Sequence, residues 1–533
     1  MKKLAIILFL FALVFTFTPT THAQTNTYDY TFDDSITVTS FDGTVIAANI
    51  FTPISSDPNE QFPVIIFPNS WALEEHEYVA QAIQFAEKGY IVLSYSARGW
   101  GQSTGLINVA GPKDMADINA LIDWLLASTP ADPANIGMAG ISYGAGLSLL
   151  GAAHDSRVKT VMAMSGWGDV GEALFAQETP RLVWGGILVG SGYLLGDMDP
   201  VIADHYTNIL THTDVDDTLA WAALRSPVNY VNEYNNRQTP VYISQNFQDE
   251  LFQPNAVIDF YEQIDHPYKK LDLNMGVHFS AEGTGLLGLD NEVWNNAHDW
   301  FDYWLKGIDT GIMTEDAVSM AIKNDDAKRT FSQWPSPLVQ TETFYLGQRP
   351  WYSHSGSLNT SPQNHWDEDT IYTGVLSGAS AGVPVVSPFF EAHTPLDIFS
   401  WIPGINRGLA IVYESDDLTS DMQIAGIPSV DLWIEPGNDQ VQLVAHLYSV
   451  DNWGWGTLIT HAPITLHDAT PYQATQVTID LIATSYNVPA GHHLALAIDT
   501  YDPQYGAPTL EPYWIDFLYN NGQVSSLNIP VVD

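Results

Sequence analysis

Residues 135–144 read Asn-Ile-Gly-Met-Ala-Gly-Ile-Ser-Tyr-Gly. The segment up to Gly140 is short and largely apolar, as expected of a strand buried on both faces. Residues 145–153 follow with the small and apolar composition of a packed helix. The Gly-x-Ser-x-Gly pentapeptide Gly140–Gly144 therefore stands at a strand-to-helix junction. In that position it reads as a nucleophile elbow. Its glycines permit a tight turn that lifts the Ser142 hydroxyl above a sheet, and the helix N-terminus favours negative charge developing there.

The flanks repeat the alternation. Residues 63–67 form a continuous apolar run and 90–95 a second buried strand, and strand character returns at 159–165, 240–244 and 270–275. Residues 74–88, 114–126 and 293–305 have helical spacing. This order predicts a parallel sheet with helices on both faces. Residues 26–54 alternate apolar and polar, which suits antiparallel strands. Between 169 and 237 the strands pause, and segments such as 184–195 and 219–224 predict a helical cap inserted between two sheet strands. Beyond about residue 330, Pro, Gly, Ser and Thr become frequent and strands short, as at 430–434 and 493–498. That part predicts an all-β sandwich of jelly-roll type. The boundaries follow as 24–168 and 238–325 for the sheet domain, 169–237 for the cap and 331–533 for the β-domain.

A serine hydroxyl needs a general base, and the base needs an orienting acid. Both should lie on loops after later strands, in the order Ser, Asp, His. The strand at 240–244 runs into Asp249, with Glu250 and Asp265 as the acids that could replace it. The strand at 270–275 leads through Gly276 and Val277 to His278. His266 precedes that strand, and His298 lies within a helix. Oxyanion donors are expected from the Tyr143 backbone N–H and from the loop after the first buried strand, through the Ser70 backbone N–H or the Trp71 indole. Arg98, within the glycine-rich segment 94–105, is expected to fix its own loop.

These residues together resemble the α/β-hydrolase group that contains cocaine esterase, X-prolyl dipeptidyl peptidases and α-amino-acid ester hydrolases. The resemblance rests on Arg-Gly-x-Gly-x-Ser-x-Gly at 98–105 and on the Ser-Tyr-Gly core at 142–144. It rests also on Trp-Phe-Asp-Tyr-Trp-Leu-Lys-Gly at 300–307 and on the stretch 409–419 followed by Gly-Ile-Pro at 426–428. It covers roughly residues 35 to 515. It implies an α/β-hydrolase catalytic domain, an inserted helical cap and a C-terminal jelly roll packed over the cleft. Members commonly carry Asp two residues before the Arg-Gly, where this chain has Ser96. Cocaine esterase-like members use a tyrosine hydroxyl in the oxyanion hole, and residues 67–71 hold no tyrosine. The expected chemistry is hydrolysis of a small carboxylic ester through an acyl-serine, with removal of N-terminal X-Pro dipeptides as the alternative. The peptidase reading needs carboxylates for the substrate's amine, and Asp169, Glu172 and Glu178 are the candidates. Trp167, Trp184 and Tyr193 are candidate pocket walls.

Composition narrows the field further. The chain has 533 residues, 18 Lys+Arg against 62 Asp+Glu, a formal net charge of −44 and no cysteine. So negative a protein repels nucleic-acid backbones and anionic membranes. Without cysteine there is no disulfide, thiolate nucleophile or Cys-ligated metal. The acidic clusters at 197–199 and 214–217 lack a calcium loop's Gly and terminal Glu. The glycine-rich run 184–196 lacks the strand and lysine of a phosphate-cradling motif. No metal and no cofactor is expected. An exposed-looking Trp453-Gly454-Trp455 leaves a glycan-binding module as a reading from another class. Lys2 and Lys3 precede an apolar run over residues 4–17, shorter than the roughly 20 residues of a bilayer span. Thr21-His22-Ala23 offers a cleavage site, so residues 1–23 read as an export signal and the mature protein as secreted or periplasmic.

Overall fold

A computed structural model describes residues 28–363, 368–520 and 522–532. The export-signal reading falls on residues outside these. Ten strands form the first sheet: β1 (Tyr30–Thr39), β2 (Val45–Pro53), β3 (Phe62–Pro68), β4 (Ile91–Tyr95), β5 (Ala131–Ile141), β6 (Val158–Met164), β7 (Val241–Asn246), β8 (Lys269–Asn274), β9 (Val318–Ile322) and β10 (Asp325–Phe331). Their order across the sheet is β1-β2-β4-β3-β5-β6-β7-β8-β9-β10. From β4 to β9 every neighbouring pair is parallel, while the β1/β2, β2/β4 and β9/β10 pairs are antiparallel.

The central strands are buried along most of their length because both faces are covered. Val64 and Ile66 of β3 face the core shared with helices Pro112–Ser128 and Tyr143–His154. Ile65 and Phe67 face the core shared with helices Val79–Glu87 and Glu292–Lys306. Pro112 opens its helix at a position where the missing N–H costs nothing. Asn291 caps the helix Glu292–Lys306 through the Trp294 N–H, and Gly307 ends it at φ 68°. The sheet runs on through β10, past the boundary placed at 325. The polar alternation of Asp325–Phe331 gives no continuous apolar run, because an edge strand has an exposed face.

Between β6 and β7 lie the helices Val170–Leu174, Leu182–Leu195, Pro200–Thr211, Val215–Ala223 and Val231–Arg237. The helix Leu182–Leu195 is apolar around much of its circumference, and its Gly185, Leu188 and Val189 line a cleft together with Ser142. After β10 the chain is mainly β, with a fourteen-stranded sheet and its own apolar core. That domain is fastened to the insertion: Gln177 Nε2 donates to Pro463 O and Asp480 O, both at 3.0 Å, and the Leu182 N–H donates to Gln504 O at 3.1 Å.

Arg98 holds the loop after β4. Its Nε and Nη2 donate to the two Asp117 oxygens at 2.7 and 2.6 Å, and Nη1 donates to Asp42 at 3.0 Å. Beside it, the Ser96 hydroxyl donates to the Glu75 carboxylate. Among the described residues no helix is long and apolar enough to cross a membrane.

Candidate active site

The C-terminal ends of β3, β5, β6, β7 and β8, neighbours in the sheet, deliver Trp71, Ser142, Ser165, Asp249 and His278. Ser142 adopts φ 57° and ψ −119°, a conformation costly for any side chain. Its flanking glycines are required by close backbone approach. A Cβ on Gly140 would sit 2.5 Å from the Gly144 carbonyl carbon, and one on Gly144 would sit 2.4 Å from Pro68 O.

Asp249 Oδ1 accepts the N–H groups of Leu251 and Phe252, each at 2.9 Å. Its Oδ2 lies 2.8 Å from His278 Nδ1, and His278 Nε2 lies 2.8 Å from Ser142 Oγ. A proton held on Nδ1 by the carboxylate leaves the Nε2 lone pair facing the serine hydroxyl. The arrangement can therefore take a proton from Ser142 as its oxygen attacks. Asp249 is 1% exposed and His278 8%, so bulk water does not compete for these bonds. The loops carrying them are tied reciprocally: Gln248 N–H donates to Gly276 O, and Gly276 N–H to Gln248 Oε1, both at 3.0 Å.

A carboxyl not foreseen in the sequence lies beneath the histidine turn. Glu282 is fully buried and accepts the Ser165 hydroxyl at 2.6 Å and Asn246 Nδ2 at 3.2 Å. Ser165 Oγ also accepts the Phe279 N–H at 3.3 Å. Burial raises Glu282 above the ordinary glutamate range. The cluster braces the backbone just after His278. Its one legible signal is a lone acid four residues past the histidine, in a run of small residues.

Two oxyanion expectations need correction. The Ser70 N–H is taken by Glu77 Oε2 at 2.7 Å, so it cannot face a substrate. The Trp71 indole N–H is taken by Leu188 O at 3.2 Å and Ser191 Oγ at 3.1 Å. The free donors are main-chain groups: the N–H of Tyr143, at the start of its helix, and that of Trp71 find no acceptor among the described residues. The Trp71 ring packs edge-on against Tyr143 and Trp100, with centroids 5.5 and 4.8 Å away.

Ser142 opens on a cleft whose empty space, counted out into open solvent, is about 940 Å³. Its walls are overwhelmingly apolar and come from the cap, including Val170, Leu174, Leu188, Val189 and Leu219, with Phe252 behind the histidine. Trp167 lines it, as expected, and anchors its indole on Arg225 O at 2.8 Å. Trp184 is not among the lining residues; its ring meets His278 edge-on at 6.0 Å. The expected acids are also absent from the lining. Asp169 caps the helix Val170–Leu174 by accepting the Gly171 and Glu172 N–H groups, and it accepts Ser226 Oγ at 3.0 Å. Glu172 is driven by burial to a pKa of about 7 and stays out of the lining, as does the exposed Glu178. An acid after a strand is as useful for capping a helix as for binding an amine, and sequence alone does not separate the two. The polar residues of the lining, Ser142 apart, include Arg181, His205, Tyr206 and Thr218, and none is a carboxylate.

Known proteins carry the same plan. Residues 42–280 match the family profile described as X-Pro dipeptidyl-peptidase (S15 family), and residues 310–518 match the X-Pro dipeptidyl-peptidase C-terminal non-catalytic domain. A Streptomyces avermitilis protein named provisionally as an Xaa-Pro dipeptidyl-peptidase is 24% identical, over 80% of this chain and 70% of its own length. The chain spans about half the length of the next curated relatives it matches. The cocaine esterase of Rhodococcus sp. (strain MB1 Bresler) is 21% identical over 89% of this chain and 91% of its own. A solved aminopeptidase from a marine sediment Thaumarchaeota archaeon superposes with a TM-score of 0.73 at 14% identity, over 98% of this chain and 99% of its own. From the elbow, the capped sheet, the C-terminal β-domain and these matches it follows that the chain belongs to the α/β-hydrolase group of X-Pro dipeptidyl-peptidases, cocaine esterase and α-amino-acid ester hydrolases.

Proposed function

We propose that the protein is an exported serine hydrolase that cleaves carboxylic esters bearing a sizeable apolar group. The observation that carries this reading is Ser142 Oγ, 2.8 Å from His278 Nε2, at the mouth of a cavity without a lining carboxylate. Ser142 attacks the ester carbonyl while His278 Nε2 takes its proton. Asp249 holds the imidazole and stabilises its charged form. The tetrahedral oxyanion is received by the Tyr143 and Trp71 backbone N–H groups. The leaving alcohol departs with the proton from His278, and water then releases the acid from the acyl-serine by the same relay.

The relatives' names favour a second reading, removal of N-terminal X-Pro dipeptides. An N-terminal ammonium buried in an apolar cavity without a paired carboxylate costs several kcal/mol. With Asp169 engaged in capping and Glu172 away from the lining, the ester reading is the better supported. Export remains part of the proposal and rests on the apolar N-terminal run. Parallel assays decide between the substrates. The ester reading expects turnover of p-nitrophenyl butyrate or longer esters and negligible release from Gly-Pro-p-nitroanilide. Faster turnover of the anilide would reverse it.

A further inference from the structure

Away from the cleft, Glu178, His212 and His467 come together where the cap meets the β-domain, with one ligand atom from each within 4.8 Å of the others. Glu178 precedes the helix Leu182–Leu195, His212 caps the C-terminus of Pro200–Thr211, and His467 follows the strand Trp455–Leu466. The two imidazoles lie face to face, with centroids 3.5 Å apart. We infer that these three residues form a binding site for a divalent transition-metal ion of the zinc type.

The hydrogen bonding is the first argument. His467 Nε2 lies 3.0 Å from the Glu178 carbonyl oxygen, which can only accept, so the proton belongs on Nε2. That leaves the lone pair on Nδ1, which is buried and has no hydrogen-bond partner. His467 is 7% exposed, and an unsatisfied ring nitrogen there is costly unless something binds it. A histidine that donates one ring N–H to a backbone carbonyl and offers the other nitrogen is the usual form of a metal ligand. The same bond ties Glu178, a second ligand, into the arrangement. Among the described residues, neither the His212 ring nor the Glu178 carboxylate takes part in a side-chain hydrogen bond or ion pair. The second cluster of this kind, Glu74, Glu75 and His76, differs: His76 bonds Asp34 at 2.7 Å, and Glu75 is engaged by Ser96.

The second argument is chemical. Two imidazoles and a carboxylate, with water completing four-coordination, suit zinc, whereas calcium takes six to eight oxygens. Ligand bonds near 2.0–2.2 Å put tetrahedral ligand atoms roughly 3.3–3.6 Å apart, so atoms now within 4.8 Å of one another close up by at most about 1.5 Å. A metal lies in the plane of a ligating imidazole, so the half-buried His212 must turn out of the stack while His467 stays held by Glu178. The protein's negative charge raises the local concentration of cations.

The ion would clamp the turn that builds one end of the substrate cavity. Phe175 and Arg181, both in the lining, bracket Glu178 in the chain, and Thr179 is already joined to Thr465 at 2.8 Å. The test uses full-length, chelator-treated protein titrated with Zn²⁺ by calorimetry and with Co²⁺ by absorption spectroscopy. One ion per chain is expected, with a tetrahedral Co²⁺ spectrum, a rise of a few degrees in melting temperature, and no competition from Ca²⁺. His212→Ala and Glu178→Gln, at residues that are not fully buried, should each weaken Zn²⁺ at least tenfold without lowering the melting temperature of the metal-free protein. Zn²⁺ affinity unchanged in both variants, or only an octahedral Co²⁺ spectrum, would overturn the assignment in favour of loose binding to surface carboxylates.

Discussion

Ser70 meets one carboxyl group twice, that of Glu77: its backbone N–H donates to Oε2 at 2.7 Å, and its hydroxyl oxygen lies 2.6 Å from Oε1. The same hydroxyl lies 2.9 Å from Ile141 O, just ahead of the nucleophile. One hydroxyl hydrogen cannot serve both acceptors. A protonated Glu77 resolves this: it donates to Ser70 Oγ, which donates to Ile141 O. Burial raises Glu77 to a pKa of about 7 in agreement. Glu77 thus braces the loop after β3 against the chain just ahead of the elbow.

The pH dependence of stability follows from that shift. Folding raises this acid's pKa from 4.5 to about 7. The folded state therefore keeps a proton that the unfolded chain loses, and the associated stability is full below about pH 4.5 and gone above about pH 7. The difference amounts to about 3 kcal/mol. Glu77→Gln keeps the donor and acceptor pattern without titrating. Thermal melts at pH 5 and pH 8 should show the variant gaining on the native protein as pH rises. A constant gap would contradict the neutral carboxyl.

Asp249→Asn should lower kcat for an ester about 10³–10⁴-fold with little change in KM, because an amide no longer holds the proton on His278 Nδ1. Steady-state kinetics checks this, and a matching loss in KM would point instead to a collapsed pocket.

On the ester reading, the apolar cavity should set a chain-length preference. Each methylene moved from water into it contributes about 0.8 kcal/mol, or close to fourfold in kcat/KM. Along a p-nitrophenyl ester series the ratio should climb until the cavity is filled. Val189→Asp should flatten that climb, with the largest loss on the longest ester that the native protein accepts.

Much of this was legible in the sequence, for a physical reason. A strand buried on both faces is rich in apolar residues, so the apolar stretches of β3, β4 and β7 announced themselves. Close backbone packing admits only glycine at 140 and 144, so the elbow did as well. The structure brings Ser142, Asp249 and His278 together because each follows a strand end on the same edge of the sheet. What sequence could not convey was direction. Nothing in Phe-Pro-Asn-Ser-Trp tells that the Ser70 N–H turns inward to Glu77 while the Trp71 N–H stays free. Asp169 reads equally as a cap or an amine partner until its neighbours are known. Glu282 acts through Ser165, 117 positions away in the chain.

Arg98 offers a test of the scaffold apart from the chemistry. Its fork holds both oxygens of Asp117, and each side chain is at most 2% exposed. Arg98→Ala strands a buried carboxylate and should cost about 3–5 kcal/mol. Pairing it with Asp117→Leu should recover most of the loss in denaturant melts.

The central claim is that the Ser142 oxygen carries the acyl group, and mass spectrometry tests it most directly. After reaction with a fluorophosphonate, the intact protein should gain one adduct, and peptide sequencing should locate it on Ser142. Ser142→Ala should remain folded, take no label and lose ester turnover by at least about 10³-fold. An adduct on another residue, or turnover that survives Ser142→Ala, would contradict the account.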